Sequence, residues 1–443
     1  MSSNVLFRHQ EIGAFWLAAT THGLLADEQG LGKTATAITA MDMLALQRVL
    51  VLAPAVVVYN WKREIATWSP SRRVQVITKG TGDIWADVDV VITTHDLLRS
   101  QLHGKLCSQK WDLVVVDEAH NFRNRTAART RRLFGLSVHP TVPAIVRSAS
   151  RCWLLTGTPM PNNPTELWAY LAGIAPQRLP EIGGKPMAWH AFRSRFCTLA
   201  QVPYGDGVKI TGARNTEDLQ QRLRGFMLRR KKADHLQLPP VRWGRIELTG
   251  SLGPELRKFE ARFAHLKSLG DRLDAMRKDS EWSTWRRLCG EAKVGAAADL
   301  LIDELLEEPQ KKLVVFAHHT SVIGELSDRL TETRIGHVRI TGDTPPAART
   351  RAVEAFQTAP ECRVAICNIV AGGVGITLHA AHDAVFIERS YVPGEVEQAA
   401  ARIHRIGQNE SVLVRVLTLA GSVDAHNDDA LNLKREMISE VIK

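Results

Sequence analysis

Short apolar runs with no polar alternation recur along the chain, each followed by turn residues and then by helix-period sequence. They are Val49–Ala53, Leu113–Val116, Trp153–Leu155, Leu313–Ala317, Val364–Cys367 and Ala384–Ile387. A strand buried on one face alternates polar and apolar residues, so unbroken runs imply strands covered on both faces. Strand, turn and helix repeated in that order predict doubly wound parallel sheets. After Lys33, the spacing of Ile38, Met41 and Ala45 predicts one of the covering helices. The runs form two groups, one before about residue 230 and one after about residue 310, with a charged, helix-prone stretch from Glu255 to Glu308 between them. The expected fold class is therefore α/β: two tandem lobes over residues 1–232 and 233–443, with a helical protrusion at about 251–308. The Pro239-Pro240 dipeptide marks the crossing between them.

The chain has 443 residues and a formal net charge of +10, which suits a polyanionic partner without specifying one. Six cysteines are scattered with no C-x-x-C pair, which argues against zinc and for free thiols in a reducing compartment. The N-terminus has no apolar signal core, and no run approaches the roughly 18 apolar residues of a membrane span. A soluble intracellular protein with no membrane partner is expected, cytoplasmic in a bacterial or phage-infected cell or nuclear in a eukaryote.

The segment Asp27-Glu28-Gln29-Gly30-Leu31-Gly32-Lys33-Thr34 lies between an apolar run and a helix. Gly30 and Gly32 would let backbone N–H groups turn around phosphate oxygens, and the helix N-terminus would add positive potential. Lys33 would reach the β- and γ-phosphates of ATP, and the Thr34 hydroxyl would bind Mg²⁺. Asp27 stands where the generic phosphate-loop pattern has its first glycine. Downstream, Trp111–Val116 reads as a buried strand ending in Asp117-Glu118-Ala119-His120. Asp117 is expected to hold Mg²⁺, and Glu118 to orient and deprotonate the attacking water. A third buried strand ends in Thr156-Gly157-Thr158, small residues able to sense whether ATP or its products face the carboxylates.

In order along the chain, DEQGLGKT, VLAPAVVVYNWKREIATW, VITTHDLL, DEAHNFRN, LLTGTPMPNNPTELW, GFMLRRKKADHLQLPP and QAAARIHRIGQ resemble the motifs of the SWI/SNF-type ATPases of helicase superfamily two. Phe316-Ala317-His318-His319 and Ile340–Pro345 look most similar to the HepA-related annealing helicases and their bacterial or phage relatives. The resemblance implies two RecA-like lobes with ATP in the cleft and duplex or branched DNA across both. It assigns Gln10 to adenine recognition, with Asp27, Glu28 and Leu31 in the nucleotide loop. It implies coupling roles for His120, Thr156, Gly157, Thr158, Gly375 and Gln398. It places DNA-backbone contacts at Pro54, Lys62, Thr93, Thr94, Arg123, His318, Thr341, Asn368, Gly372 and Thr377. The acidic pair common in the last motif is Ala400-Ala401 here, and no added substrate-recognition module is read at either end.

The last motif reads as a helix ending near Gly407, which would put Arg402 and Arg405 on one face. Two guanidinium groups there could neutralise charge on the transferred phosphoryl group. Phosphate contacts from Lys62 and Arg63, from the arginines at 123, 125, 129, 131 and 132, and from Arg229 to Lys232 would suit a motor indifferent to DNA sequence. Trp61, Trp68 and Trp168 are expected to pack rather than stack on bases. The expectation is a monomeric ATP hydrolase translocating on double-stranded DNA. An ATP-gated clamp and the motor subunit of a restriction or nuclease complex are the alternatives.

Overall fold

Every one of the unbroken apolar runs forms strand, except that the last ends at Phe386, one residue short of Ile387. The computed structural model describes residues 5–136, 143–182, 185–201, 208–250, 253–266, 272, 275–276, 279–369, 376–390, 392–405, 407–422, 424 and 428–442. The chain divides into two compact units, one running to His235 and joined by residues from Glu436 onward, the other Leu236–Arg435.

In the first unit the elements are α1 (Arg8–Ala19), β1 (His22–Leu25), α2 (Lys33–Met43), β2 (Val49–Ala53), α3 (Val58–Trp68), β3 (Val74–Ile77), β4 (Val90–Thr94), β5 (Trp111–Asp117), β6 (Ala149–Leu155) and β7 (Met227–Leu228), with shorter helices between. The seven strands are parallel throughout, in the order β7-β1-β6-β5-β2-β4-β3. Every residue of β2 and β4 is buried, as strands covered on both faces require. Ile38 and Met41 of α2 are fully buried, but the helix stops at Met43. Ala45 lies beyond it, exposed and left-handed at φ 48°, so the third member of the expected stripe is not helical. Hydrogen bonds from Ala45 N to Asp42 O and from Leu46 N to Met41 O close the helix there, the pattern of a left-handed cap.

The second unit contains β8 (Val241–Leu248), α4 (Trp282–Glu307), β9 (Leu313–Ala317), β10 (His337–Ile340), β11 (Val364–Asn368), β12 (Asp383–Phe386), α5 (Pro393–Ala400) and β13 (Val412–Leu419). Its six strands are also parallel, in the order β8-β13-β12-β9-β11-β10. Val294, Ala297, Ala298, Leu301 and Leu305 of α4 share one core with Leu313 and Val315, so this half of the helix covers the sheet. Leu256 and Phe259 pack instead with Trp285 and Cys289, in a separate cluster.

The last-motif helix ends earlier than its sequence suggests. α5 stops at Ala400, after which Arg402 N bonds Ala399 O and Ile403 N bonds Ala400 O. Three-residue closures are mixed there with one four-residue bond, His404 N to Ala400 O, and no α-helix continues, so Arg402 and Arg405 do not share an α-helical face. Ala400 and Ala401 are buried, consistent with their apolar character. At the far end, Val441 and Ile442 enter the first unit's core. Among the described residues, no helix is long and apolar enough to cross a membrane.

Candidate active site

Parallel strands pool their carboxyl ends at one edge, and in the first unit that edge gathers the chemistry. Leu25 is in register with both Leu155 and Leu228, Asp117 with Leu155, and Leu52 with Val116. The turns leaving β1, β6, β5 and β2 therefore emerge side by side, where ligands bind in open α/β sheets.

The turn after β1 is the glycine loop. Gly30 (φ 91°) and Gly32 (φ 77°) are left-handed, a region costly for residues with a Cβ. A Cβ on Gly32 would also fall 2.0 Å from Gln10 Nε2, so the glutamine of α1 lies directly over the loop. That amide donates to Leu31 O at 3.2 Å, and His9 Nε2 is 3.1 Å from the same oxygen. Gln10 Oε1 accepts from Phe7 N at 3.0 Å, which fixes the side chain's orientation. Lys33 opens α2 with its Nζ donating to Asp27 O (2.7 Å) and Glu28 O (3.3 Å). Burial lowers the affinity of its amine for a proton, against the pull of Glu118, Asp27 and Asp117. Thr34, half-buried, follows in the first turn of α2.

The turn after β5 carries the acid pair. Asp117 accepts from Trp61 Nε1 at 2.8 Å through Oδ2 and from Glu118 N at 2.9 Å through Oδ1. Burial, and next the charge of Glu118, raise the Asp117 carboxyl from 3.8 to about 6. Glu118 is left-handed at φ 47°, a strained conformation for a residue with a long side chain. His120 Nδ1 lies 3.3 Å from Glu118 Oε2, 3.1 Å from Thr156 Oγ1 and 3.3 Å from Thr158 Oγ1. One imidazole thus joins the acid pair to the turn after β6. In that turn Gly157 admits Gln29, whose Cγ would lie 2.4 Å from an added Cβ.

Carboxylate and hydroxyl oxygens are the donors a hard cation such as Mg²⁺ prefers, and Asp117 and Thr34 offer both. Among the described residues no group of three or more His, Cys, Asp or Glu could hold a metal ion. Two donors of this kind suit an ion whose other ligands are phosphate oxygens, and the left-handed glycines leading into α2 suit the phosphates.

Sequence reasoning missed four partnerships. Trp61, expected only to pack, is buried and also holds Asp117. Arg230, grouped with possible DNA contacts, pairs with buried Asp27, and Arg229 donates to Ala26 O (3.0 Å) and Gly157 O (3.3 Å). Glu28 Oε2 accepts from Lys232 N at 2.8 Å. The signal available was Asp27 itself, since a carboxylate in place of a loop glycine requires a cation once buried.

Of the other residues expected to touch DNA, Lys62 is exposed on α3, and Pro54 is half-buried just past β2. Thr93 is fully buried with its hydroxyl donating to Ile77 O at 2.9 Å, and Thr94 closes β4. Arg123 donates to His120 O at 2.8 Å and pairs with Glu166 at 3.1 Å.

In the second unit, His318, Thr341 and Asn368 gather at the carboxyl ends of β9, β10 and β11. Asn368 Nδ2 donates to His318 O at 2.6 Å. Glu388 Oε2 accepts from His318 N and His319 N, both at 2.9 Å, and its Oε1 lies 2.6 Å from His319 Nδ1. Thr377 Oγ1 accepts from Arg405 Nη1 at 2.7 Å, while Arg402 and Gln398 are buried. Gly372 and Gly375 lie outside the described residues.

Comparison with known proteins places this geometry in a family. The SNF2-related domain matches residues 9–249, and the helicase conserved C-terminal domain matches residues 296–407. DNA annealing helicase and endonuclease ZRANB3 of Mus musculus is 31% identical over 435 residues, 95% of this chain and 39% of that protein. SWI/SNF-related matrix-associated actin-dependent regulator of chromatin subfamily A-like protein 1 of Xenopus tropicalis is 31% identical over 411 residues, 90% of this chain and 41% of its own length. The chain thus spans about two fifths of the length of these relatives. The Sulfolobus solfataricus SWI2/SNF2 ATPase core in complex with dsDNA aligns over 99% of this chain and 93% of its own, at 22% identity and TM-score 0.45. With the first of these matches covering more than half of its residues, the chain belongs to the SNF2-related family of helicase-like ATPases.

Proposed function

We propose that the chain is a DNA-dependent ATPase that translocates on double-stranded DNA and so remodels DNA or protein–DNA complexes. The observation that carries this reading is the single sheet edge holding Lys33, Asp117 and Glu118, with His120 3.1 Å from Thr156. Lys33, already aimed across the loop, would exchange its two carbonyl partners for β- and γ-phosphate oxygens. Glu118 is the general base that orients and deprotonates water. Thr34 and Asp117 would hold Mg²⁺, which supplies charge neutralisation on the phosphates when bound. Gln10, fixed above the loop, reads the adenine edge. Arg402 and Arg405 serve the same hydrolysis by offsetting charge on the transferred group.

His120 gives the acid pair a route to the rest of the unit. A change at Glu118 on hydrolysis alters the hydrogen bonds that His120 can share with Thr156 and Thr158, and so moves the turn after β6. Duplex or branched DNA is the partner, gripped by the backbone, because a motor must accept any sequence. The printed names of the relatives, a DNA annealing helicase among them, support this choice of substrate.

The test is ATP hydrolysis with duplex, single-stranded and forked DNA, followed by triplex displacement on the best activator. Stimulation by duplex with strand displacement is expected. Stimulation by duplex without displacement would leave an ATP-gated clamp, and stimulation by RNA alone would overturn the substrate. Arg402→Ala should retain nucleotide binding and lose most of the DNA-stimulated rate, and an unchanged rate would remove Arg402 from the chemistry.

A further inference from the structure

Asp27 is fully buried at the point where phosphate loops generally carry a glycine. Leaving such a charge unpaired is strongly unfavourable, so the fold must bring a cation to it. Arg230 does so with both ends of its guanidinium: Nε donates to Asp27 Oδ1 at 2.9 Å and Nη2 to Oδ2. Its Nη1 donates to His9 O, the residue before Gln10. Gly13 of α1 makes room for the same group, since a Cβ there would lie 2.5 Å from Arg230 Nη2. Next to it, Arg229 Nη1 reaches Ala26 O and Gly157 O.

The backbone follows the same path. Ala26 N donates to Leu228 O at 2.7 Å, Glu28 N to Arg230 O at 3.0 Å, and Lys232 N to Glu28 Oε2 at 2.8 Å. Residues 228–232 are thus a strap laid along residues 26–28. The peptide unit held through Glu28 N carries Asp27 O, the nearer of the two carbonyls that receive Lys33 Nζ.

We propose that Arg229 and Arg230 are positioning residues for nucleotide binding, not DNA-backbone contacts: they lock the entry to the phosphate loop, α1 and the Gly157 turn into one arrangement. This rests on the ATPase reading above. The Arg230 side chain is 10% exposed, too enclosed to serve a passing DNA phosphate while its guanidinium bridges Asp27 and His9. A lysine cannot replace it, because one ammonium cannot span both carboxylate oxygens and a carbonyl in a planar fork.

The experiment measures, on the full chain, the dissociation constant of a fluorescent ADP analogue and that of duplex DNA over a series of salt concentrations. The variants are Arg230→Gln, Arg230→Lys, Asp27→Asn, Arg229→Gln and the Asp27→Asn/Arg230→Gln pair. Arg230→Gln and Arg230→Lys should weaken ADP by about tenfold or more, and the pair should recover part of the loss, because it leaves no lone buried charge. DNA affinity and its salt slope should stay at wild-type values in all of them. Wild-type ADP affinity in both Arg230 variants and in Arg229→Gln would overturn the assignment. So would lost DNA affinity with a salt slope reduced by roughly one, the signature of a deleted phosphate contact. If Arg230→Gln does not fold, Arg230→Lys and Arg229→Gln decide by the same two constants. A wild-type chain that binds no ADP would overturn the ATPase reading, and this assignment with it.

Discussion

The two sheets share an architecture and treat their carboxyl edges in opposite ways. In the first, the helix that follows a strand begins with left-handed Gly32, and Lys33 faces two carboxylates across the loop. In the second, the two amides just before the helix following β9 (Thr320–Glu332), those of His318 and its N-cap His319, donate to the chain's own Glu388. Among the described residues, no turn directly leaving β9, β10, β11 or β12 has a left-handed residue. A helix N-terminus attracts anions. Among the described residues, the first edge combines left-handed glycines with a lysine and an acid pair, and the second holds a carboxylate of its own.

The largest effect should come from Lys33→Ala, which removes the only cation on the loop itself. Turnover should fall to background, at least about 10³-fold, read by phosphate release. Retained turnover would mean that the second edge, or another group, handles the phosphates, and the contrast between the sheets would break.

Glu118→Gln should retain ATP and hydrolyse it about 10²–10⁴-fold more slowly. It also tests the carboxylate pair by linkage. Asp117 holds its proton more tightly in the native chain, up to about 6, so the stability this carboxyl contributes is present below pH 4 and lost as pH rises through 6. Removing the Glu118 charge should move that loss to lower pH. Melting temperature against pH, without nucleotide or Mg²⁺, is the measurement, and an unshifted curve would dismiss the charge as a cause.

Glu388 should behave with the reverse sign. Burial alone would raise its carboxyl, but bonds from the His319 side chain and from the backbone N–H groups of His319 and His318 hold it low. Its stability is present above pH 4.5 and lost as pH falls further. Glu388→Gln should cost roughly 1–3 kcal/mol at neutral pH in denaturant melts and flatten the acid limb. If the nucleotide is held at the first sheet's edge as proposed, its DNA-free affinity should not change.

The smallest effect concerns the helix that the nucleotide would load. Ala45→Gly relieves a left-handed alanine after α2 and should stabilise the chain by about 1 kcal/mol, less whatever glycine adds to the unfolded ensemble. A loss of stability would show that the Ala45 methyl matters more than its backbone.

Much of this was readable from residues alone, and the reasons are local. Val49–Ala53 and Leu313–Ala317 announce buried strands because nothing in them tolerates water, and a parallel sheet then places Asp117 and Thr156 at the same edge as Lys33. Pairings made between distant segments left no local trace. Arg230 is 203 residues from Asp27, and a run of basic residues looks alike whether it faces solvent or a buried carboxylate. The indole of Trp61 reads as apolar bulk until Asp117 is found 2.8 Å away. Helix ends were the other blind spot: neither Ala45 nor Ala401 is a helix breaker, and tertiary packing decides where each helix stops.

Val441 and Ile442, almost wholly enclosed in the first unit's core, have a consequence for how the protein is made. They leave the ribosome more than 200 residues after the sheet they complete. The early half of the chain must therefore wait during synthesis with an apolar slot open, and it gains this packing only once Val441 and Ile442 emerge.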